Sequence, residues 1–498
     1  MNSTALRAFR QGLYGCFERA GDALMDTCDA LLVESGARSF AELSLCPFFH
    51  RRWPSLYAAM QDAQVDRSAL RRLFANAQVP KIEGQRVVLG VDASAILRPQ
   101  SRTAQDRTYV HTQEAPHRKT NKKTAGSNKI TDKMGHEPQA ALGAGWQFSA
   151  LAVLPETPSS WIYILDNQRI QSSQTPAMVA SAQLEALVPL LKPSAANSSN
   201  EVAAPEVAAP EVAAPEETAP LPILIGDRYY GSATFVEQTQ KIACDKLLRI
   251  QGHRVFYRPA PVRSGRRGAP CKDGPRFKCS DATTHGVPDT QWQGLDDKGA
   301  EVEVSCWKQL HFRTCREVSL SVLRVRRQGA RNTKRDPRES WFIWVAGAQE
   351  ESSAQEESSS QEVPLEQIAP LYGLRFSLEH GFRFAKQSLL WDKPRLRSPE
   401  QFQNWTDIVA AVHNQLVLAR PVVQARRQPW ESRCARRPVT PQQVRRAMGQ
   451  IIGELGTPAR VPQPRGKSLG RQTGAIIQKA KRFPVVYKHS LNPVLVQT

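Results

Sequence analysis

Residues 372–386 read Tyr372-Gly-Leu-Arg375-Phe-Ser-Leu-Glu379-His-Gly-Phe-Arg-Phe-Ala-Lys386, and the rest of the chain is organised around this stretch. In a helix, at about 100° per residue, the phenol, the guanidinium, the carboxylate and the last ammonium group fall within roughly 60° of arc. Such a group beside a buried face is typical of a site for phosphate and metal ions, although an isolated helix of this kind is more often a solvated face. A neighbouring apolar stripe is expected to face a core: Leu371, Leu374, Leu378, Phe382, Ala385 and Leu389.

The spacing of four of these residues resembles a known signature. Tyr372, Arg375, Glu379 and Lys386 match Y-x2-R-x3-E-x6-K, which surrounds the catalytic glutamate in a large group of DDE transposases of bacterial insertion sequences. The resemblance implies an RNase H-like catalytic core in which two aspartates upstream complete the site. It also implies that Tyr372, Arg375 and Lys386 bind DNA phosphates, because Arg binds oxygens bidentately and Lys acts as a point charge.

Two aspartates follow apolar runs that are typical of buried strands. Val87-Val-Leu-Gly-Val leads into Asp92, and Pro222-Ile-Leu-Ile-Gly leads into Asp227 and then a glycine turn. A carboxylate there loses hydration unless it lies at a strand end and binds something. The resemblance implies that Asp92 and Asp227 are the first two catalytic acids and Glu379 is the third. Taken singly, each acid is more often an N-cap or an ion-pair partner.

The three acids predict a metal requirement. Cutting and joining phosphodiesters is commonly done with two metal ions about 3.5–4 Å apart, and carboxylate oxygens suit Mg²⁺ or Mn²⁺. The resemblance therefore implies two ions per active site, with Asp92 bridging them and Asp227 and Glu379 each holding one. Zinc is the weaker alternative, because the spacing of its candidate ligands does not match a zinc ribbon. Those candidates are Cys271, Cys279, Cys306, Cys315, His285 and His311.

The charge balance favours nucleic acid as the partner. The 498 residues contain 67 Lys and Arg against 47 Asp and Glu, a formal net charge of +20. A basic span from Arg98 to Lys133 is expected to be an exposed loop, either touching phosphates or merely solvated. The nine cysteines lack any CxxC, which is typical of reduced cytoplasmic thiols, and no apolar run is long enough for a bilayer. We expect a cytoplasmic, nucleoid-associated bacterial protein without a membrane partner.

The pattern along the chain predicts a mixed α/β fold. Apolar runs at 87–92, 146–154 and 161–165 match the antiparallel opening of an RNase H-like mixed sheet flanked by helices. We expect an N-terminal all-helical domain, a core, and a β-rich insertion between the second acid and the third. The predicted divisions are 1–80 for the helical domain, 81–257 for the first part of the core with a linker at 194–220, 258–370 for the insertion, 371–420 for the catalytic and closing helices, and 421–498 for a basic C-terminal region.

Two of these parts have competing interpretations. The helices of 1–80 either bind DNA ends or form a cap or dimerisation piece, since no clean helix-turn-helix pattern is present. In the insertion, Trp307, Trp341 and Trp344 are candidates to stack on a flipped base, although Trp341 and Trp344 favour core packing. The linker contains three Glu-Val-Ala-Ala-Pro repeats, beginning at Glu201, which cannot build a core.

The leading hypothesis is a transposase that binds the terminal inverted repeats of its element as double-stranded DNA. It cuts the ends with water and joins the 3′ hydroxyl to target DNA, and a homodimer in a synaptic complex is expected by analogy. The first alternative is an RNase H-like nuclease or domesticated DNA-binding relative without transposition. The second is a non-enzymatic basic scaffold, which leaves the acids at the strand ends unexplained. The hypothesis requires Asp92, Asp227 and Glu379 to meet in one place.

Overall fold

The structure of the chain is a computed structural model. It describes residues 4–77, 86–112, 141–191, 220–261, 271–296, 299–333, 337–348, 363–424, 439–463, 470, 472–476 and 478–488. The predicted repeats at 201–215 lie outside these residues.

Helices dominate the N-terminal part of the chain, as predicted, but a small strand pair accompanies them. Asp66 caps the last of these helices, because its carboxylate accepts hydrogen bonds from the backbone N–H groups of Ser68 and Ala69. The two short strands pair antiparallel. In chain order the elements are α1 (Thr4–Gly15), β1 (Phe17–Arg19), α2 (Gly21–Val33), α3 (Phe40–Leu43), α4 (Pro54–Asp62), β2 (Gln64–Val65) and α5 (Arg67–Asn76).

The next elements build the centre of the main sheet. They are β3 (Val88–Leu97), β4 (Thr108–Thr112), β5 (Ala141–Val153), β6 (Tyr163–Ile170), α6 (Pro176–Leu187), β7 (Ile223–Gly226), α7 (Ala233–Gln238) and β8 (Asp245–Ile250). Strand β5 lies antiparallel between β3 and β6, whereas β3, β7 and β8 run parallel. The order β6-β5-β3-β7-β8, with three antiparallel strands followed by parallel ones, is compatible with an RNase H-like core.

The strands that follow extend this same sheet. They are β9 (Val255–Tyr257), β10 (Arg276–Lys278), β11 (Thr290–Leu295), β12 (Glu301–Phe312), β13 (Cys315–Arg327) and β14 (Glu339–Val345). Strand β14 pairs antiparallel with β8, and β13 and β12 follow outward. The described strands therefore form one twelve-stranded sheet in addition to the β1–β2 pair, and the β-rich insertion continues the core sheet.

Four helices complete the fold: α8 (Leu365–Gly373), α9 (Phe376–Gln387), α10 (Pro399–Gln424) and α11 (Pro441–Leu455). The single helix predicted over 372–386 is interrupted, because α8 ends at Gly373. The N–H groups of Leu374 and Arg375 donate to carbonyls three residues earlier, at 3.2 and 3.1 Å, which tightens the chain into a short turn. The predicted apolar stripe is confirmed, since Leu378 and Leu389 are fully buried.

Helices cover both faces of the sheet, because successive side chains of a strand point to opposite sides. Phe148 of β5 packs against Phe402 of α10, with ring centroids 5.5 Å apart. Its neighbour Ser149 donates a hydrogen bond of 2.8 Å to Gln183 of α6 on the other face. Helices α1, α2 and α4 also pack on α10, so the N-terminal helices share a continuous hydrophobic core with the sheet. In the part of the chain that the structure describes, no helix combines the length and apolarity needed to cross a membrane.

The prediction of an exposed basic loop from Arg98 onward is wrong for Arg98 and Arg107, whereas Arg102 between them is exposed as predicted. Arg98 and Arg107 are buried. The guanidinium of Arg107 donates to the carbonyl oxygens of Arg98, Pro99 and Phe483 at 3.0 to 3.2 Å. These two guanidinium groups hydrogen-bond to backbone carbonyl oxygens and are not exposed to solvent. Residues 113–133 of the predicted loop lie outside the described part of the chain.

Candidate active site

The register of the parallel strands brings the two aspartates together. Val91 of β3 pairs with Gly226, the last residue of β7. Asp92 and Asp227 are the next residues on each strand, so they lie side by side. Asp92 stands within β3 and not at its end as predicted, because β3 continues to Leu97 in pairing with β5.

A close approach between β3 and α9 brings Glu379 to the same place. Gly90 lies two residues before Asp92, and a Cβ atom at this position would come within 2.8 Å of the Leu378 side chain. Glycine therefore lets α9 pack directly on the strand. Glu379 follows Leu378 in the first turn of α9 and is 47% exposed, whereas Asp92 is 16% exposed.

One guanidinium joins all three acids. Arg375 Nη2 lies 2.8 Å from Asp92 Oδ2 and 3.9 Å from Asp227 Oδ2, and Arg375 Nη1 lies 3.2 Å from Glu379 Oε1. The structure thus brings together the four residues that sequence reasoning selected as three catalytic acids and one cation. Their catalytic roles stay predictions.

Charge and burial shape the ionisation of this cluster. Burial raises the pKa of Asp92 to about 6; the Arg375 charge opposes this rise, and the negative charges of Asp227 and Glu379 add to it. Burial disfavours the charged form of Arg375, but the neighbouring carboxylates, Asp92 first, raise the pKa of this guanidinium above its usual value. Arg375 is therefore always charged, while Asp92 gains its charge only near neutral pH.

Tyr372 and an arginine that sequence reasoning missed lie next to the acids. The Tyr372 ring packs at 4.7 Å from that of Phe342, and the guanidinium of Arg249 lies 6.0 Å from the Tyr372 ring centroid. Burial raises the pKa of Tyr372, so its phenol stays protonated. The signal for Arg249 was its place in β8: Leu248 pairs with Gly226, which sets Arg249 beside Asp227.

Lys386, which was also predicted to bind phosphate, contacts the backbone of β3 and an aromatic ring. Its ammonium group donates a hydrogen bond of 2.8 Å to the carbonyl oxygen of Ala95, and it lies 5.9 Å from the ring centroid of Trp391. Ala95 is three residues beyond Asp92 on β3. Lys386 therefore lies along the same strand as the acids, although the contacts described for it go to the backbone and to an aromatic ring.

The turn after Asp227 presents an aromatic ring that sequence reasoning also missed. The carboxylate of Asp227 accepts a hydrogen bond of 2.9 Å from the N–H of Tyr229, which fixes the turn. Tyr229 is 60% exposed, and the guanidinium of Arg228 lies 5.5 Å from its ring centroid. The sequence signal was the Asp-Arg-Tyr-Tyr-Gly turn itself, whose second and third residues are exposed.

The donor atoms of the cluster fit the divalent ions that the resemblance implies. Three carboxylates that share one positive charge form a hard, oxygen-rich set, which is the kind that Mg²⁺ and Mn²⁺ prefer. The distances are those of an ion-pair cluster, since within the described ranges no three acidic, His or Cys side chains are close enough to hold a metal ion. The guanidinium of Arg375 fills the space that the carboxylates share.

The alternatives in the insertion receive no support from the described residues. Of the zinc candidates, His285 packs on the Phe277 ring at 4.6 Å, and Cys279, Cys306 and Cys315 are buried whereas Cys271 is exposed. Trp307, Trp341 and Trp344 are all buried, so they pack the core and do not offer a face to a flipped base.

The comparison with protein families agrees with this geometry. A sequence model described as DDE superfamily endonuclease matches residues 12–311, more than half of the chain. The chain belongs to this family. The match includes Asp92 and Asp227 and ends before α9, so Glu379 and the other residues of the predicted signature lie outside it. Among curated proteins no match is found.

Proposed function

We propose that this chain is a transposase of a bacterial insertion sequence, which cuts DNA at the ends of its element and joins them to target DNA. The observation that carries the proposal is the convergence of Asp92, Asp227 and Glu379. Their carboxylates lie between 2.8 and 3.9 Å from the guanidinium of Arg375, although the sequence separates them by up to 287 positions. Chance salt bridges do not require two adjacent parallel strands and a helix to deliver one acid each.

In the proposed reaction a water oxygen bonds to the scissile phosphorus, and the bond from phosphorus to the 3′ oxygen breaks. The released 3′ hydroxyl then loses its proton and bonds to a phosphorus of the target strand, while the bond from that phosphorus to the target's own 3′ oxygen breaks and this oxygen leaves as a protonated hydroxyl. Asp92, Asp227 and Glu379 would hold two Mg²⁺ or Mn²⁺ ions, which supply activation of the attacking oxygen and stabilisation of the leaving oxygen. Side chains of the protein orient the scissile phosphate, so that the attacking oxygen reaches the phosphorus from one direction.

The cations around the acids suit the DNA backbone. Arg228 is exposed in the turn after Asp227, Arg249 lies beside Tyr372, and Arg383 is exposed one turn after Glu379 on α9. Arginine binds phosphate oxygens bidentately, and an exposed aromatic ring such as Tyr229 stacks on bases. We therefore propose that Tyr372, Arg375 and Lys386, together with these neighbours, position the DNA end, and that the N-terminal helices form a DNA-binding domain.

The test is cleavage of DNA that carries both flanks of the coding region, with Mg²⁺ or Mn²⁺ present. The variants Asp92→Asn, Asp227→Asn and Glu379→Gln remove one charge each with little change in volume. We expect each to reduce cutting at least about a thousandfold while DNA binding persists, because each removes a metal ligand. Asp281→Asn, an exposed aspartate of the insertion, is the matched control.

The outcomes separate the proposal from its alternatives. Full cutting in any one of the three variants removes that residue from the site. Cutting that never yields joined products favours a nuclease without transposition. Tight DNA binding without metal-dependent cutting in the unaltered chain favours the non-enzymatic scaffold.

A further inference from the structure

Arg375 contacts carboxylates from three separate segments of the chain, whereas Arg67, which also pairs with two acids, takes both from α10. Arg107 and Arg445 are held by backbone carbonyl oxygens, including those of Arg98 and Leu31. Arg375 instead forms ion pairs with three carboxylates, and these are the three proposed metal ligands. The first pair of arginines braces the backbone, whereas Arg375 balances charge.

The position of Arg375 in the chain allows this guanidinium to change place. It lies in the short turn between α8 and α9, where the backbone hydrogen bonds span three residues. Rotation of its side chain breaks no hydrogen bond of either helix. The backbone of each acid belongs to a different segment, namely β3 for Asp92, the turn after β7 for Asp227 and α9 for Glu379.

Arg375 and divalent ions compete for the same space. Three carboxylates and one guanidinium leave two uncompensated negative charges, and a cation placed among these oxygens lies within a few ångströms of a fixed positive charge. We propose that Arg375 is an exchangeable counter-ion: it offsets one of the three negative charges in the metal-free chain, and divalent ions displace it when they bind. This inference rests on the proposed function. The displaced guanidinium remains on the same turn, within reach of a phosphate at the acids, so metal binding frees the group that grips DNA.

The experiment is Mn²⁺ binding without DNA, followed by electron paramagnetic resonance of the free ion at constant pH and salt. Arg375→Gln removes the charge and keeps most of the volume, and we expect Mn²⁺ to bind roughly tenfold tighter or more. Arg446→Gln is the matched control, because Arg446 is exposed on α11, a helix that carries none of the three acids. The Mn²⁺ affinity of this variant should equal that of the unaltered chain. A variant Arg375→Gln that binds Mn²⁺ equally or more weakly overturns the proposal.

Arg375→Lys covers the case in which Arg375→Gln fails to fold with three uncompensated acids. Its shorter side chain keeps the charge but withdraws it from the carboxylates, so Mn²⁺ affinity should rise by a few-fold, less than in Arg375→Gln. An affinity equal to that of the unaltered chain, or lower, then counts against the exchange.

Asp92→Asn distinguishes this failure from failure of the proposed function. If Mn²⁺ binding by the unaltered chain does not depend on Asp92, the metal site itself is refuted. If binding depends on Asp92 but not on the charge at position 375, the metal site stands and only the exchange is refuted.

Discussion

Replacing Asp92 by Asn should stabilise the metal-free chain at neutral pH while abolishing its activity. Burial raises the pKa of Asp92 from 3.8 to about 6, so the ionised carboxylate is less favourable in the folded chain than in the unfolded one despite its contact with Arg375. At about 1.4 kcal/mol per pKa unit, this shift corresponds to about 3 kcal/mol. Asparagine keeps the shape and can still accept a hydrogen bond from Arg375, but it carries no charge.

The pH dependence gives this prediction its sign. Below pH 3.8 the carboxyl of Asp92 is protonated in both the folded and the unfolded chain, and the variant has no advantage. As the pH rises, the unfolded chain ionises first, and the stability of the unaltered chain falls until the pH passes about 6. The advantage of Asp92→Asn in the free energy of unfolding should therefore grow from near zero at pH 4 to its full value at pH 7 to 8.

Urea unfolding in EDTA, followed at several pH values, measures this difference. Asp281→Asn is the matched control, because hydrogen bonds from Thr283 lower the pKa of that exposed carboxyl, so its removal should give no gain at neutral pH. An Asp92→Asn variant that is equally or less stable than the unaltered chain at pH 8 would show that the ion pair with Arg375 outweighs burial. In a separate measurement, added Mn²⁺ should raise the melting temperature of the unaltered chain but not that of Asp92→Asn.

Two further substitutions test packing, one beside the acids and one in the β-rich insertion. Gly231→Ala places a Cβ atom 2.4 Å from the carbonyl oxygen of Arg249. We expect the free energy of unfolding in urea to fall by about 1–3 kcal/mol and DNA cutting to decrease. In the control Gly453→Ala the new Cβ atom meets no neighbour within 4 Å, so neither stability nor cutting should fall. Trp307→Ala should lower the free energy of unfolding by about 3–5 kcal/mol, because the indole is fully buried, while binding of DNA ends at low temperature should persist. The control Trp53→Ala removes an exposed indole and should change stability little. Loss of DNA-end binding by a folded Trp307 variant would instead support a role of this indole in base stacking.

The sequence predicted the parts of the site that local patterns encode. Apolar β-branched runs before Asp92 and Asp227 identified both strands, because short runs rich in Val and Ile favour buried strands over helices. The helical spacing placed Glu379 and Arg375 on the same side. That the acids share one guanidinium depends on strand register and on the close approach at Gly90, which arise from contacts distant in sequence.

The errors have physical reasons of the same kind. Arg98 and Arg107 lie in a polar stretch and were predicted to be exposed, either to phosphates or to water, yet tertiary structure surrounds them with carbonyl oxygens that replace water. Lys386 fits the signature, but its contacts with Ala95 and Trp391 follow from the packing of α9 on β3. A helical wheel gives the direction of a side chain and not the group that meets it.

The late pairing at β4 affects how this chain is made. Among the described residues β4 and β6 both pair with β5 at the border of the sheet. Residues late in the sequence meet β4: Val486 forms a parallel bridge with Thr108, and the Tyr487 ring lies 4.8 Å from that of Tyr109. During translation, more than 370 residues must follow Thr108 out of the ribosome before this border is covered. Until then the nascent chain exposes a strand able to pair with another copy, so we expect chaperone binding to improve the yield of native protein.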